Sequence, residues 1–272
     1  MWILLSIAGA FTNAFWTSMS KPIVQDVSPV RMQLLHRSIM SCIFLVPWIL
    51  LGDIPASAAF WVPMVTVGIL HAARWVVVLH GVRRDYFATY ALYNTTPLFT
   101  ILLAPTLLPE KFGLTVWAGI VIIIAGGWLF YRTSRVSVHG LIGAVIAAGI
   151  NVLSKYALDM TNPVGFAFLF QASATVALAA GYVASRRNRF GSERWFADAK
   201  RILPLALVTC AGALCFYYAL SLDTATRVTA VVRTNFIFGF VLSYLVLKER
   251  ANLPHKIAGA LLIFAGTILV AL

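Results

Sequence analysis

Apolar stretches of about twenty residues follow one another along the whole chain, each broken off by a short cluster of Gly, Pro or charged residues. A helix rising about 1.5 Å per residue needs roughly 20 residues to cross a hydrocarbon core of about 30 Å. At that length the pattern predicts ten transmembrane helices, over 2–20, 32–51, 59–80, 86–108, 112–131, 139–158, 163–184, 202–221, 225–247 and 254–272. The stretches are continuously apolar rather than alternating, which excludes a β-barrel. Linkers such as Gly52-Asp53-Ile54-Pro55 and Arg83-Arg84-Asp85 are short, and the longest, 185–201, is basic. The expected fold class is all-α, a polytopic membrane protein.

Composition agrees. Of 272 residues 61% are hydrophobic and 11% charged, against roughly 45–50% and about 25% in soluble domains. A soluble enzyme, a disordered chain and a disulfide scaffold are excluded together, because water alone could not solvate so much apolar surface. Cys42, Cys210 and Cys215 lie inside apolar runs and read as small buried hydrophobes rather than as a disulfide or zinc framework. Met1-Trp2 is not followed by a basic n-region, so no cleavable signal peptide is expected. No G-x-x-x-x-G-K-[ST] loop occurs, and no cofactor or metal is expected.

The formal net charge of +12 sits mostly in linkers, which makes it a topology signal rather than a nucleic-acid footprint. Linkers after the odd helices hold Lys21, Arg83, Arg84, Arg132, Arg135, Arg186, Arg187, Arg189, Arg194, Lys200, Arg201, Lys248 and Arg250, with Lys256 just inside helix ten. Linkers after the even helices hold only Lys111. The positive-inside rule then puts the odd linkers in the cytoplasm and both termini outside.

The chain also repeats itself. Laying 1–134 over 139–272 brings Lys21 onto Lys155 and Pro29 onto Pro163 at an offset of 134. Ala72, Ala91 and Glu110 meet Ala211, Ala230 and Glu249 at 139, and Gly119 and Gly126 meet Gly259 and Gly266 at 140. An odd number of helices per repeat sends the second half through the membrane upside down, the arrangement of many secondary transporters.

The stretch Pro97-Leu98-Phe99-Thr100 with Glu110, Gly119 and Gly126, and its later counterpart Leu247-Lys248-Glu249-Arg250 with Gly259 and Gly266, resembles the repeat of the drug/metabolite transporter superfamily, EamA type. The spacing Lys21, Pro29, Arg37 is similar to that family's first two helices. The resemblance implies a basket of ten helices moving a small molecule by alternating access. Helices one to four and six to nine would line the cavity, with five and ten peripheral. Glycines in helices five and ten would let backbones approach. Pro97 would kink helix four and free carbonyls that need polar partners. Phe236 stands where the second repeat would match Pro97, and Gln171 stands opposite Arg37. Members usually keep both termini in the cytoplasm, the reverse of the charge count.

Ionisable groups at membrane depth are costly, of order 3 kcal/mol on insertion scales, so each calls for a reason. Here they are basic: His36 and Arg37, His71 and Arg74, Lys155, Arg227 and Arg233, with no Asp or Glu well inside a span. A cationic cargo would call for a buried carboxylate, whereas guanidinium forks suit carboxylate or phosphate. The candidate substrate-binding set is Asn13 and Trp16 on helix one, Arg37 on two, and His71, Arg74 and Trp75 on three. Tyr90, Tyr93 and Asn94 add helix four, Asn151 and Lys155 helix six, Tyr217 helix eight, and Arg233 and Asn235 helix nine. The blander alternatives are arginines capped by carbonyls or hydroxyls, Arg227 snorkelling to the interface, and histidines in packing roles. The expected partners are the bilayer and a small organic anion or zwitterion, coupled to protons or exchanged for a counter-substrate, at an inner cell membrane. The competing readings are an intramembrane enzyme using His and Arg, and an exporter of neutral or cationic compounds. The charge count makes one direct prediction: a reporter fused after Leu272 should read extracytoplasmic, and a cytoplasmic readout would refute the positive-inside assignment.

Overall fold

The structure, a computed structural model, describes residues 1–131, 137–184, 195–245 and 253–272. Arg132, Arg135, Arg186, Arg187, Arg189, Arg194, Lys248, Glu249 and Arg250, which carried part of the charge and repeat patterns, lie outside the described residues, as does the side chain of Lys21.

The described residues form helices and no strand. The first half contains α1 (Trp2–Asp26), α2 (Pro29–Leu51), α3 (Ala58–Arg84), α4 (Tyr86–Tyr93), α5 (Thr96–Leu107) and α6 (Leu114–Tyr131). The second contains α7 (Val138–Leu158), α8 (Pro163–Ala184), α9 (Trp195–Leu222), α10 (Ala225–Val231), a 3₁₀ turn at Val232–Thr234, α11 (Asn235–Leu245) and α12 (Leu253–Ala271). Starts follow local chemistry. Ser28 caps α2 by accepting from Arg31 N at 3.3 Å ahead of Pro29, Asp85 caps α4 through Ala88 N at 2.9 Å, and Thr224 caps α10 through Arg227 N at 3.3 Å. Seven helical stretches among the described residues are long and apolar enough to cross a bilayer. This is a multi-pass membrane protein.

Two expectations need correction. First, α1, α3 and α9 overrun their predicted ends, so Arg83, Arg84, Lys200 and Arg201 are helical rather than in linkers. Polar turns continue a helix once it has left hydrocarbon, and the chain uses them to tie elements together: Arg83 donates from Nε to the Val24 carbonyl at 2.7 Å and from Nη2 to that of Val27 at 2.9 Å. Secondly, the stretches 86–108 and 225–247 are each broken in the middle. Pro97 has no N–H for the Tyr93 carbonyl four residues back, and the Thr96 hydroxyl fills that place at 2.6 Å while Thr95 donates to Leu92 O at 2.7 Å. In the later break no proline is present. There the backbone tightens into the 3₁₀ turn, and the Thr234 hydroxyl donates to Val231 O at 2.9 Å.

Packing is built on a few close pairs. α6 and α12 run side by side in opposite directions, with Gly119 against Gly266 and Gly126 against Gly259. A Cβ on Gly119 would lie 2.7 Å from the Gly266 carbonyl oxygen, and one on Gly126 2.7 Å from that of Gly259. Away from that pair, α1 packs on α9 and α11, α3 on α7 and α8, α2 on α8 and α9, and α5 on α7. Where α5 leads toward α6, Glu110 reaches across to α10 and accepts from Ala225 N at 2.8 Å and the Thr226 hydroxyl at 3.4 Å. Burial pushes its carboxyl above the ordinary glutamate range, while those two donors and Lys155 pull the other way.

The glycine contacts carry a prediction. Gly126→Ile should lower the apparent melting temperature by the equivalent of about 1–3 kcal/mol of overpacking. The same change at Gly181, which has nothing within 4 Å of a built Cβ, should leave it unchanged.

Candidate functional site

Between the two halves lies a cavity of about 140 Å³ lined from α1, α2, α3, α7, α8, α9, α10, the end of α4 and the 3₁₀ turn, with no lining residue from α6 or α12. The broken helices matter here. The first ends α4 at Tyr93, whose ring reaches the cavity, and the second carries Arg233 in the turn itself.

Two of the buried charges in its wall sit on α2 and α3. Arg37 is 4% exposed and donates from Nη1 to the Gln171 amide oxygen at 2.9 Å, with Gln33 Oε1 at 3.4 Å from its Nε and the Met40 sulfur 3.6 Å from Nη1. Arg74 is 9% exposed, lies 3.0 Å from His71 Nδ1 through Nη2, and stacks its guanidinium over Trp75 at 5.0 Å. Positions three apart on a helix share a face, which is why His71 and Arg74 meet. Arg233 lies over the Tyr93 ring at 5.4 Å. Trp16 stacks on His36 at 4.1 Å and meets Trp75 edge-on at 6.0 Å, while Phe170 stands edge-on to His71 at 4.5 Å. Opposite them Asn151 donates to the Thr229 hydroxyl at 3.0 Å.

Among the described residues no carboxylate pairs with Arg37 or Arg74. The ion pairs present, Arg31–Asp198 at 2.8 Å, Arg201–Asp26 at 3.1 Å and Lys155–Asp159 at 3.1 Å, use acids outside the cavity. Several buried nitrogens of wall residues have no hydrogen-bond partner among the described residues: Trp16 Nε1, His71 Nε2, Arg74 Nε and Trp75 Nε1. Guanidinium and indole N–H groups can only donate. The wall therefore offers an excess of donors and a ligand must bring the acceptors. No group of three or more His, Cys, Asp or Glu that could hold a metal is gathered among the described residues.

Of the residues proposed from sequence, Asn13, Trp16, Arg37, His71, Arg74, Trp75, Tyr93, Asn151, Tyr217 and Arg233 line this cavity. Four others do not. Tyr90 stands behind Tyr93, edge-on at 6.1 Å. Asn94 turns away to donate to the Ile123 carbonyl of α6 at 3.4 Å, since the helix break rotates it off the Tyr93 face. Lys155, one turn from the end of α7, pairs with Asp159 four residues on. Asn235 sits behind Asn13 and donates to its amide oxygen at 3.0 Å, holding that side chain. Sequence reasoning left out His36, Gln171, Phe170, Thr209 and Thr229, all in the wall. Gln171 had a signal, as the repeat mate of Arg37; the threonines had none, because a hydroxyl inside an apolar helix usually bonds its own backbone.

A model of the EamA-like transporter family matches residues 1–132 and again residues 136–272. The chain belongs to that family. It is thus a membrane transporter of small molecules built from two copies of the EamA domain, in a family of transporters rather than enzymes. No curated protein matches it in sequence. One solved structure, described only as the crystal structure of a protein, is similar with a TM-score of 0.75 at 12% identity over 98% of each chain. At that identity the likeness concerns the fold alone.

The Arg37–Gln171 bond yields a prediction for this EamA protein. Gln171→Leu should cost about 1.5–3 kcal/mol of apparent stability, the range for bonds to a charged group. In an Arg37→Met background the same change should cost much less, and a double-mutant cycle on thermal unfolding in detergent measures the difference.

Proposed function

We propose that this chain is a secondary active transporter that moves a small organic anion or zwitterion, such as an amino acid, a carboxylate or a phosphorylated metabolite. It would do so by alternating access through the central cavity, in an inner cell membrane. The observation that carries the reading is the uncompensated positive charge of Arg37 and Arg74 beside unpartnered N–H donors. Removing such charges from water costs several kcal/mol per ion, and neutral partners offset only part of that. A ligand with an oxyanion supplies the charge and the acceptors together. The cavity volume is room for several waters at about 30 Å³ each, which suits a compact metabolite.

The transport mechanism rests on reading 1–134 and 139–272 as inverted five-helix repeats within one ten-helix unit. Arg37 bonds Gln171 and Ser41 meets Thr175 at 3.2 Å, both pairs separated by the repeat offset of 134. Residues related by a two-fold axis touch each other only where that axis passes. The crossed glycine pairs of α6 and α12 support the same axis, and the contacts of α1 with α9 and α11 are mirrored by those of α7 with α3 and α5. Each end of α2 is tied to the opposite half. At one end Arg31 pairs with Asp198; at the other Asp53 accepts from the Thr161 hydroxyl and from Asn162 N at 3.3 Å, while Asn162 Nδ2 donates to Leu51 O at 2.9 Å. Rocking of one half against the other would break one set of ties at a time. The charge count supports a cytoplasmic face on the Arg31–Asp198 side.

Counterflow in proteoliposomes tests the proposal. Among carboxylates, amino acids, phosphorylated metabolites and quaternary ammonium compounds, an anion or zwitterion should be transported. Arg74→Gln, in protein that still purifies as a single species, should cut that transport at least tenfold. Transport of a cation that is indifferent to Arg74→Gln would overturn the choice of cargo.

A further inference from the structure

The contact between Arg74 and His71 fixes more than a position. Every polar hydrogen-bonding atom of a guanidinium donates and none accepts, so the imidazole nitrogen 3.0 Å from Arg74 Nη2 has to be the one with the lone pair. That nitrogen is Nδ1. A neutral imidazole then carries its hydrogen on Nε2, a buried atom of a cavity-wall residue that has no partner among the described residues.

We propose that Arg74 and His71 form the subsite for the cargo's anionic group. In it His71 acts as a neutral donor through Nε2–H and not as a proton carrier. This rests on the anion reading given above and deepens it. To take up a proton, His71 would have to receive it on Nδ1, which sets N–H against N–H and breaks the bond to Arg74. The titratable or charged residues that line the cavity with His71 are Arg74 on its own helix, Arg37 and His36 on α2, Tyr93 at the end of α4, Tyr217 on α9 and Arg233 in the 3₁₀ turn. From α1, α7 and α8 come the non-titrating Trp16, Asn151 and Phe170. No carboxylate is among them to offset an imidazolium. The cargo is therefore gripped in its ionised form by Arg74 Nε–H and His71 Nε2–H, two donors that cannot turn into acceptors while the pair stays intact. A coupling proton, if one moves, travels by another group.

The test has two arms on the full chain in lipid nanodiscs. The first needs no cargo: ¹⁵N spectra of histidine-labelled protein, with the His71 signals identified by their loss in His71→Gln. They should show a neutral ring protonated on Nε2 across roughly pH 5 to 8. The second uses acetate, inorganic phosphate and sulfate as probes, read by the fluorescence of the tryptophans beside the cavity. His71→Gln, whose amide nitrogen approximates the place of Nε2, should bind within a few-fold of the unaltered chain. His71→Asn, which places its amide nearer Nδ1, should bind about tenfold more weakly, the loss expected for one bond to a charged partner. An imidazolium forming within that pH range, a ring protonated on Nδ1 alone, or equal losses in the Gln and Asn variants would each overturn the proposal. If the ring behaves as stated but no probe binds the unaltered chain, the anion reading of the cavity falls and the subsite falls with it.

Discussion

A guanidinium cannot give up its charge inside a protein, so burying one commits its surroundings to supplying acceptors. Arg37 imposes that constraint here. Its partners are the amides of Gln33 on its own helix and Gln171 on α8, which pins α2 to α8 at the centre of the bundle. Neutral acceptors satisfy the N–H groups without cancelling the charge. The packing of the core and the polarity of the cavity thus come from one side chain: the helices meet where they do because Arg37 needs Gln171, and the hollow beside them stays positive because Gln171 is not Glu.

The outer pair of helices serves a different end. Gly119, Gly126, Gly259 and Gly266 bring the backbones of α6 and α12 into direct contact, and neither helix contributes to the cavity wall. In lipid, where apolar side chains gain nothing by leaving hydrocarbon, close backbone approach is the means of holding two helices together. The wall helices also close on glycines, Gly9 and Gly212 between α1 and α9 and Gly68 against Ser173 between α3 and α8, but there the glycine meets a side chain or a single carbonyl rather than a reciprocal pair of glycines.

Much of this was readable in the sequence. Helix spans follow from hydrocarbon thickness, the repeat from recurring Pro, Glu and Gly, and the cavity's sign from basic residues with no acid at depth. Helix ends read poorly, because Arg83, Arg84, Lys200 and Arg201 mark the edge of hydrocarbon rather than the end of the helix. The break before Pro97 was visible as a proline; the matching one at Val232–Thr234 was not, as no residue there forbids a helix and the turn depends on its surroundings. Asn94 and Lys155 lie outside the cavity wall for different reasons: the direction in which the break turns Asn94 cannot be counted along a helix, whereas Asp159, the partner of Lys155, stands four residues on in the sequence. The wall threonines are ordinary packing residues until the helices opposite them are known, whereas His36 already stands out in the sequence as an ionisable group at membrane depth.

The ties at the two ends of α2 are unlike in kind. In the proposed repeat, Arg31 corresponds to Gly165, so the end held by the Arg31–Asp198 ion pair has as its counterpart a cluster of hydroxyl, amide and a lone Asp53. A symmetric rocker would rest equally on either side. Here one side is held by a largely buried pair of opposite charges and the other by dipoles around a single carboxylate at the surface. In the proposed rocking of the two halves, the posture in which the cargo site waits would then be set by which of two chemically different ties is the weaker.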